Sequence, residues 1–147
     1  MSTSCATAPD LVPAIERVLE TSLYVDDLDR AAKFYEECLG LPRMHADERM
    51  RAYAVGGTVL LLFARGQSLS QVELPDGAIP PHDGSGPLHV AFAISTEALD
   101  GWLKRLDANG VEIEGRARWP RGGESIYFRD PDGHLLEFAT PGLWRNY

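Results

Sequence analysis

ETSLYVDDLDRAAKFYEECLGL, residues 20–41, spells out a strand, a helix and a stop in succession. The β-branched and apolar residues of Arg17–Val25 predict the strand, and Asp26 and Asp27 then offer side chains that cap a helix starting near Leu28. Leu28, Ala31, Ala32, Tyr35 and Leu39 recur at helical spacing, so one face of that helix is buried, and Gly40 supplies the left-handed residue that ends it. Two further strand-like runs follow, Arg49–Val55 and Thr58–Phe63, joined by Gly56 and Gly57, a pair suited to a tight hairpin.

The same order of signals returns in the second half. Leu88–Ile94 reads as a strand, Ser95 and Thr96 as caps, the next residues as a helix to about Asn109, and Gly110 as its stop. Strand-like segments lie at Val111–Ala117, Glu124–Arg129 and His134–Thr140, the last two joined by the turn Asp130-Pro131-Asp132-Gly133. The chain is thus a tandem repeat in which Glu20 falls on His89, Leu23 on Phe92 and Val25 on Ile94. In a slightly longer register, Gly57 falls on Gly133 and Leu61 on Glu137. A lone module leaves a sheet face and its edges bare, so two modules side by side, with a curved sheet and helices outside it, are the expected α+β solution. The expected boundaries are a disordered tail over 1–13 and one domain over 14–147. Within the domain, module one spans 17–64, a Gly- and Pro-rich connection 65–87, module two 88–140 and a C-terminal tail 141–147.

Composition narrows the function classes. A chain of 147 residues with 44% hydrophobic and 24% charged residues has room for one domain with a true core. Fourteen Lys and Arg against 22 Asp and Glu leave a net charge of -8, which repels nucleic-acid phosphates and anionic membranes, so neither is an expected partner. The longest apolar run, Val59–Ala64, is too short to span a bilayer, and residues 1–13 lack the features of a secretory signal, so the expected location is cytoplasmic. Cys5 and Cys38 form no disulfide framework.

Strand alternation sorts the side chains. Val90, Phe92 and Ile94 form a packing face, which leaves His89, Ala91 and Ala93 on the open one. Likewise Thr21, Leu23 and Val25 pack, while Glu20, Ser22 and Tyr24 share the open face. In the last strand Glu137 lies with Leu135 and Ala139. In a curved sheet Glu20, His89 and Glu137 converge, and two carboxylates facing a partly dry cavity repel unless a cation joins them. Two Glu and one neutral His offset a divalent ion and leave positions for water or substrate. Taken singly, each residue has an ordinary reading: Glu20 as a solvated strand end, His89 as a hydrogen-bonded core histidine, Glu137 as the partner of Arg51 or Arg129.

The segments ETSLYVDDLDRAAKFYEECLGL (20–41), HVAFAI (89–94) and SIYFRDPDGHLLEF (125–138) resemble the vicinal oxygen chelate superfamily, which includes glyoxalase I, bleomycin-resistance proteins, fosfomycin-resistance thiol transferases and extradiol ring-cleaving dioxygenases. The resemblance covers residues 18–140. It implies paired βαβββ modules in a U-shaped, mostly antiparallel sheet around one divalent metal ion (Fe, Mn, Zn, Ni or Mg), often in a homodimer. Carried over position by position, the metal ligands are Glu20, where the family usually has His, with His89 and Glu137. Leu61 stands at a fourth position that glyoxalase I fills with a carboxylate and the three-ligand members leave empty.

The resemblance also implies binding of a small substrate through its oxygens. Tyr127, on one strand face with Ser125 and Arg129, is then a candidate proton donor to a metal-bound oxygen, or an aromatic in the cavity wall. Arg51 is a candidate for a substrate carboxylate or a structural arginine, and His82 a lid residue or a solvated loop histidine. Tyr24, Leu61 and Phe63 are expected to make part of the cup apolar. The leading expectation is a metal-dependent ring-cleaving dioxygenase or glyoxalase-like lyase. The alternative is a metal-free protein that sequesters a drug or other small molecule, as bleomycin-resistance proteins do.

Overall fold

The computed structural model describes residues 11–147. Of the expected tail over 1–13, residues 1–10, and Cys5 with them, lie outside the described part; residues 11–19 take no regular structure. Strand β1 (Glu20–Val25) leads into helix α1 (Leu28–Lys33), whose cap is Asp27, its carboxylate accepting from the Arg30 backbone N–H at 3.0 Å. α1 continues as a wider π-helical turn, Phe34–Cys38, and the positive φ of Gly40 (70°) releases the chain. Strands β2 (Arg43–Ala46), β3 (Met50–Val55) and β4 (Thr58–Ala64) complete module one in the order β1-β4-β3-β2, with β1 parallel to β4 and the other pairs antiparallel.

The connection holds a small hairpin of β5 (Val72–Leu74) and β6 (Gly77–Ile79). Module two then repeats the plan. It contains β7 (His89–Ala93), a Ser95-capped turn of 3-10 helix (Thr96–Ala98), helix α2 (Leu99–Ala108), β8 (Gly115–Arg118), β9 (Glu124–Arg129) and β10 (Leu135–Ala139), ordered β7-β10-β9-β8 with β7 parallel to β10. This is the expected α+β duplication. The sequence reading omits β2, whose four residues are all exposed and so carry no alternation, and β5–β6, whose strands are too short for one. It also starts β8 too early, since Val111 and Ile113 pack on the core ahead of the strand.

The packing faces of both sheets share one core. Leu23, Tyr35, Tyr53, Leu60 and Leu62 from module one meet Phe92, Leu106, Ile126, Phe128, Leu136 and Phe138 from module two. The two sheets are not hydrogen-bonded to each other, so β1 and β7 are each paired on one side only. A set of polar contacts ties the modules instead. The Tyr35 hydroxyl donates to Asp130 Oδ2 at 2.7 Å, and Arg105 donates to the carbonyls of Cys38 (2.6 Å) and Glu37 (2.7 Å). Burial, reinforced by the Asp130 charge, holds the Tyr35 phenol well above the usual range, so it stays a donor.

His134 makes the most buried of these ties. It is fully buried, and the Leu88 N–H donates to its Nδ1 at 2.9 Å, so that nitrogen is bare and the ring proton sits on Nε2, which donates to the Tyr24 carbonyl at 2.7 Å. One imidazole thus bonds the start of β7 to the end of β1. His134→Ala leaves both backbone groups buried and unpaired, and a stability loss of about 2–5 kcal/mol is expected in urea unfolding. A loss below about 1 kcal/mol would show that the modules do not rely on it.

Candidate functional site

The parallel pairing of β7 with β10 aligns His89 with Leu135 and Ala91 with Glu137, so His89 and Glu137 are diagonal neighbours on the open face, over the small side chain of Ala91. His89 Nδ1 donates to the Leu135 carbonyl at 2.8 Å. In the neutral ring this leaves Nε2 bare, and it lies 3.3 Å from Glu137 Oε1. Two acceptor atoms that close, one on a carboxylate only 4% exposed, can share a proton or a metal ion. Glu137 is held from behind: its Oε2 accepts from the Ser125 hydroxyl at 2.6 Å, and Ser125 Oγ accepts from Trp119 Nε1 at 2.8 Å. Tyr127 stands opposite Glu137 on β9, its ring 6.4 Å from that of His89. Burial, and then the Glu137 charge, raise its phenol above the usual value.

Module one presents a separate cavity of about 500 Å³, lined by Glu20, Ser22, Tyr24, Leu61, Phe63, Arg49, Met50, Ile79 and His82. The 65–87 connection folds back to close it. Ser68 holds the His82 backbone through its hydroxyl (2.6 Å) and its carbonyl (2.9 Å), and Arg65 binds Asp26 at 2.8 Å and the Gly84 carbonyl at 3.2 Å. A Cβ at Gly84 would sit 2.4 Å from ring carbons of Tyr24, so only glycine lets the loop lie on that ring. His82 Nδ1 hydrogen-bonds the Tyr24 hydroxyl at 2.7 Å and meets the Phe63 ring edge-on at 4.6 Å. Tyr24, Leu61, Phe63 and His82 therefore come together as the sequence suggests.

Two expectations change. Arg51 does not reach the cavity. It pairs with Asp29 at 3.1 Å and donates to the carbonyls of Asp47 and Met50, in a surface groove with Asp47 and Glu48. The cause is register: Glu137 pairs with Tyr127, ten residues back, but its repeat counterpart Leu61 pairs with Ala52, nine back, so Arg51, the repeat counterpart of Tyr127, falls one place out of line. A slip of one residue turns a side chain to the opposite face. Arg49 occupies the cavity instead, its guanidinium carbon 5.6 Å from the Phe63 ring centroid. The strand expected from Arg49 begins at Met50, and Arg49 sits at a bend fixed by Asp47, whose Oδ1 accepts from the backbone N–H groups of Arg49 (2.8 Å) and Met50 (2.9 Å), so the alternation that would set it beside Arg51 does not apply to it.

The second change concerns Glu20. Among the described residues, no three His, Cys, Asp or Glu side chains come together in one chain. His89 and Glu137 do meet, while exposed Glu20 stands on the other module's sheet. Glu137 is paired with neither Arg51 nor Arg129; the latter forms a two-point contact with Glu114 at 2.9 and 3.1 Å. His89 and Glu137 fit a divalent ion on chemical grounds: the imidazole tautomer is fixed with Nε2 free, the carboxylate is oriented by Ser125, and their 3.3 Å gap matches the roughly 3 Å between neighbouring donors on bonds of about 2.1 Å.

Residues 17–138 match the family model described as Glyoxalase/Bleomycin resistance protein/Dioxygenase superfamily. A metallothiol transferase FosB from Shouchella clausii is 34% identical over 121 residues, covering 81% of this chain and 76% of the relative. A glutathione transferase FosA from Serratia marcescens is 33% identical over 125 residues, covering 83% and 79%. The crystal structure of a lactoylglutathione lyase from Agrobacterium tumefaciens superposes with a TM-score of 0.81 at 32% identity, covering 90% of this chain and 99% of that one.

The Tyr127 environment generates a titration test. Its raised value means that its neutral form is favoured by folding, a contribution present below about pH 10 and lost as the pH rises through the folded value. The difference in tyrosinate absorbance between wild type and Tyr127→Phe should therefore show one phenol ionising above pH 10; ionisation at or below 10 would contradict the described contact with Glu137.

Proposed function

The chain belongs to the glyoxalase/bleomycin resistance protein/dioxygenase superfamily, and on that footing we propose that it is a metal-dependent enzyme that joins a thiol to a small, oxygen-bearing electrophile. The observation that carries the reading is the bare Nε2 of His89 facing Glu137 Oε1 at 3.3 Å, with both groups oriented by hydrogen bonds behind them. Relatives named as metallothiol and glutathione transferases, and a fold match named as a lactoylglutathione lyase, support thiol chemistry over ring cleavage. Leu61, apolar where a glyoxalase I type site has its fourth donor, supports the three-donor arrangement.

The third donor is Glu20 from a second copy of the chain. β1 and β7 each keep one free edge, and the faces carrying Glu20 and His89 lie away from the shared core, so two copies can set module one of each against module two of the other. A divalent ion held there supplies a positive centre that binds a substrate oxygen and stabilises negative charge developing on it. The protein's own groups do the rest. Ser125, backed by Trp119, keeps Glu137 aimed. Tyr127, its phenol protonated throughout the neutral range, holds a proton within the site for an oxygen that gains charge. Tyr24, Leu61 and Phe63 take the apolar part of the substrate, and His82 covers it.

Protein purified without chelator should carry one divalent ion per chain. His89→Ala and Glu137→Ala should each lower metal affinity at least about a hundredfold, and thiol-dependent turnover of electrophiles should disappear with the metal, while catechols give no oxygen uptake. Metal-free wild type that still binds small molecules tightly would contradict the enzyme and support sequestration.

A further inference from the structure

We infer that Arg49 is an anion-binding residue and that the natural ligand carries a carboxylate on an aromatic or similarly flat apolar body. The inference deepens the proposed function by naming a substrate class, and its cavity lies on module one, apart from His89 and Glu137. Arg49 is half-buried, and its Nε is shielded from solvent with no hydrogen-bond acceptor. Among the described residues, its guanidinium has no carboxylate within ion-pair distance, unlike that of Arg30, Arg43, Arg51, Arg65, Arg118 and Arg129; the other arginines without one, Arg17, Arg105, Arg116, Arg121 and Arg145, are exposed to solvent, and Arg49 is not. In a chain of net charge -8 with 22 carboxylates, a partly desolvated guanidinium left without any is an unmet charge.

Its surroundings select the ligand. The cation lies over the Phe63 ring, which stacks with Tyr24 at 6.2 Å and 28° and meets the edge of His82, so the wall beside the charge is flat and aromatic. The guanidinium fork suits a planar carboxylate held by two hydrogen bonds, with the ligand's ring against Phe63 and Tyr24. The other acids near this wall are spoken for or set apart: Glu20 lines the cavity mouth and serves as the third metal donor in the reading above, and Asp83 bears on the Tyr24 side. A cationic or neutral ligand would leave Arg49 unpaired.

Benzoate and its neutral isostere benzamide test this by calorimetry on the full chain, with and without chelator. Wild type should bind benzoate at least about tenfold more tightly than benzamide in both conditions. Arg49→Met should lose that preference and Arg49→Lys keep part of it, with circular dichroism confirming that both variants are folded. Equal affinities in wild type, no binding of either, or a preference untouched in Arg49→Met would overturn the inference. Because the chelated protein is included, an Arg49-dependent preference in a protein that binds no metal would sink the metal reading and leave this one standing. Metal binding without the preference would do the reverse.

Discussion

The 3.3 Å approach of His89 Nε2 to Glu137 Oε1 is close enough for the two atoms to share either a proton or a metal ion between them. Every nearby interaction preserves it. The parallel β7–β10 register sets the two residues diagonally, Ala91 keeps the space above them clear, the Leu135 carbonyl fixes the imidazole tautomer, and Ser125 backed by Trp119 fixes the carboxylate. The Leu135 carbonyl, Ser125 and Trp119 thus all act to orient the two side chains. A sheet face with only packing to do would have no use for them.

The same duplication that builds this pair leaves it incomplete. Each module covers one face of its sheet with a helix and a share of the common core, and leaves the other face and one edge strand open. The polar ties around His134, Asp130 and Arg105 fix the modules to one another through their packing sides, so Glu20 and His89, equivalent in the repeat, look outward from separate sheets. The proposed completion by a second copy would reconcile the repeat symmetry, which calls for the two residues to meet, with a single chain that keeps them apart.

Much of this was readable from the residues alone. The strand-helix-strand order, the repeat, the open faces of β1 and β7, and the shared facing of Leu61 and Phe63 follow from alternation and turn chemistry, which are local; that His82 lies on Tyr24 and Phe63 depends on the path of the long connection. What was not readable depended on a count or on tertiary context. Arg51 is a structural arginine and does not reach the cavity because the β9–β10 pairing runs one residue out of step with β3–β4, and no periodicity reveals such a shift between two repeats. Arg49 escaped notice because it sits at an Asp47-braced bend just before β3 begins. The roles of Ser125 and Trp119 depend on a hydrogen-bond chain across neighbouring strands, and the separation of Glu20 from His89 on how the two modules pack.

The central claim, that one site draws donors from two chains, is tested most directly by mixing. Chains carrying Glu20→Ala and chains carrying His89→Ala, co-expressed in equal amounts, form mixed dimers in which one of the two sites has all its native donors. Metal retained through dialysis should then recover to about a quarter of the wild-type level, against little for either variant alone. A mixture that retains no more metal than the separate variants would place all the donors in a single chain, or the metal elsewhere, and would contradict the account.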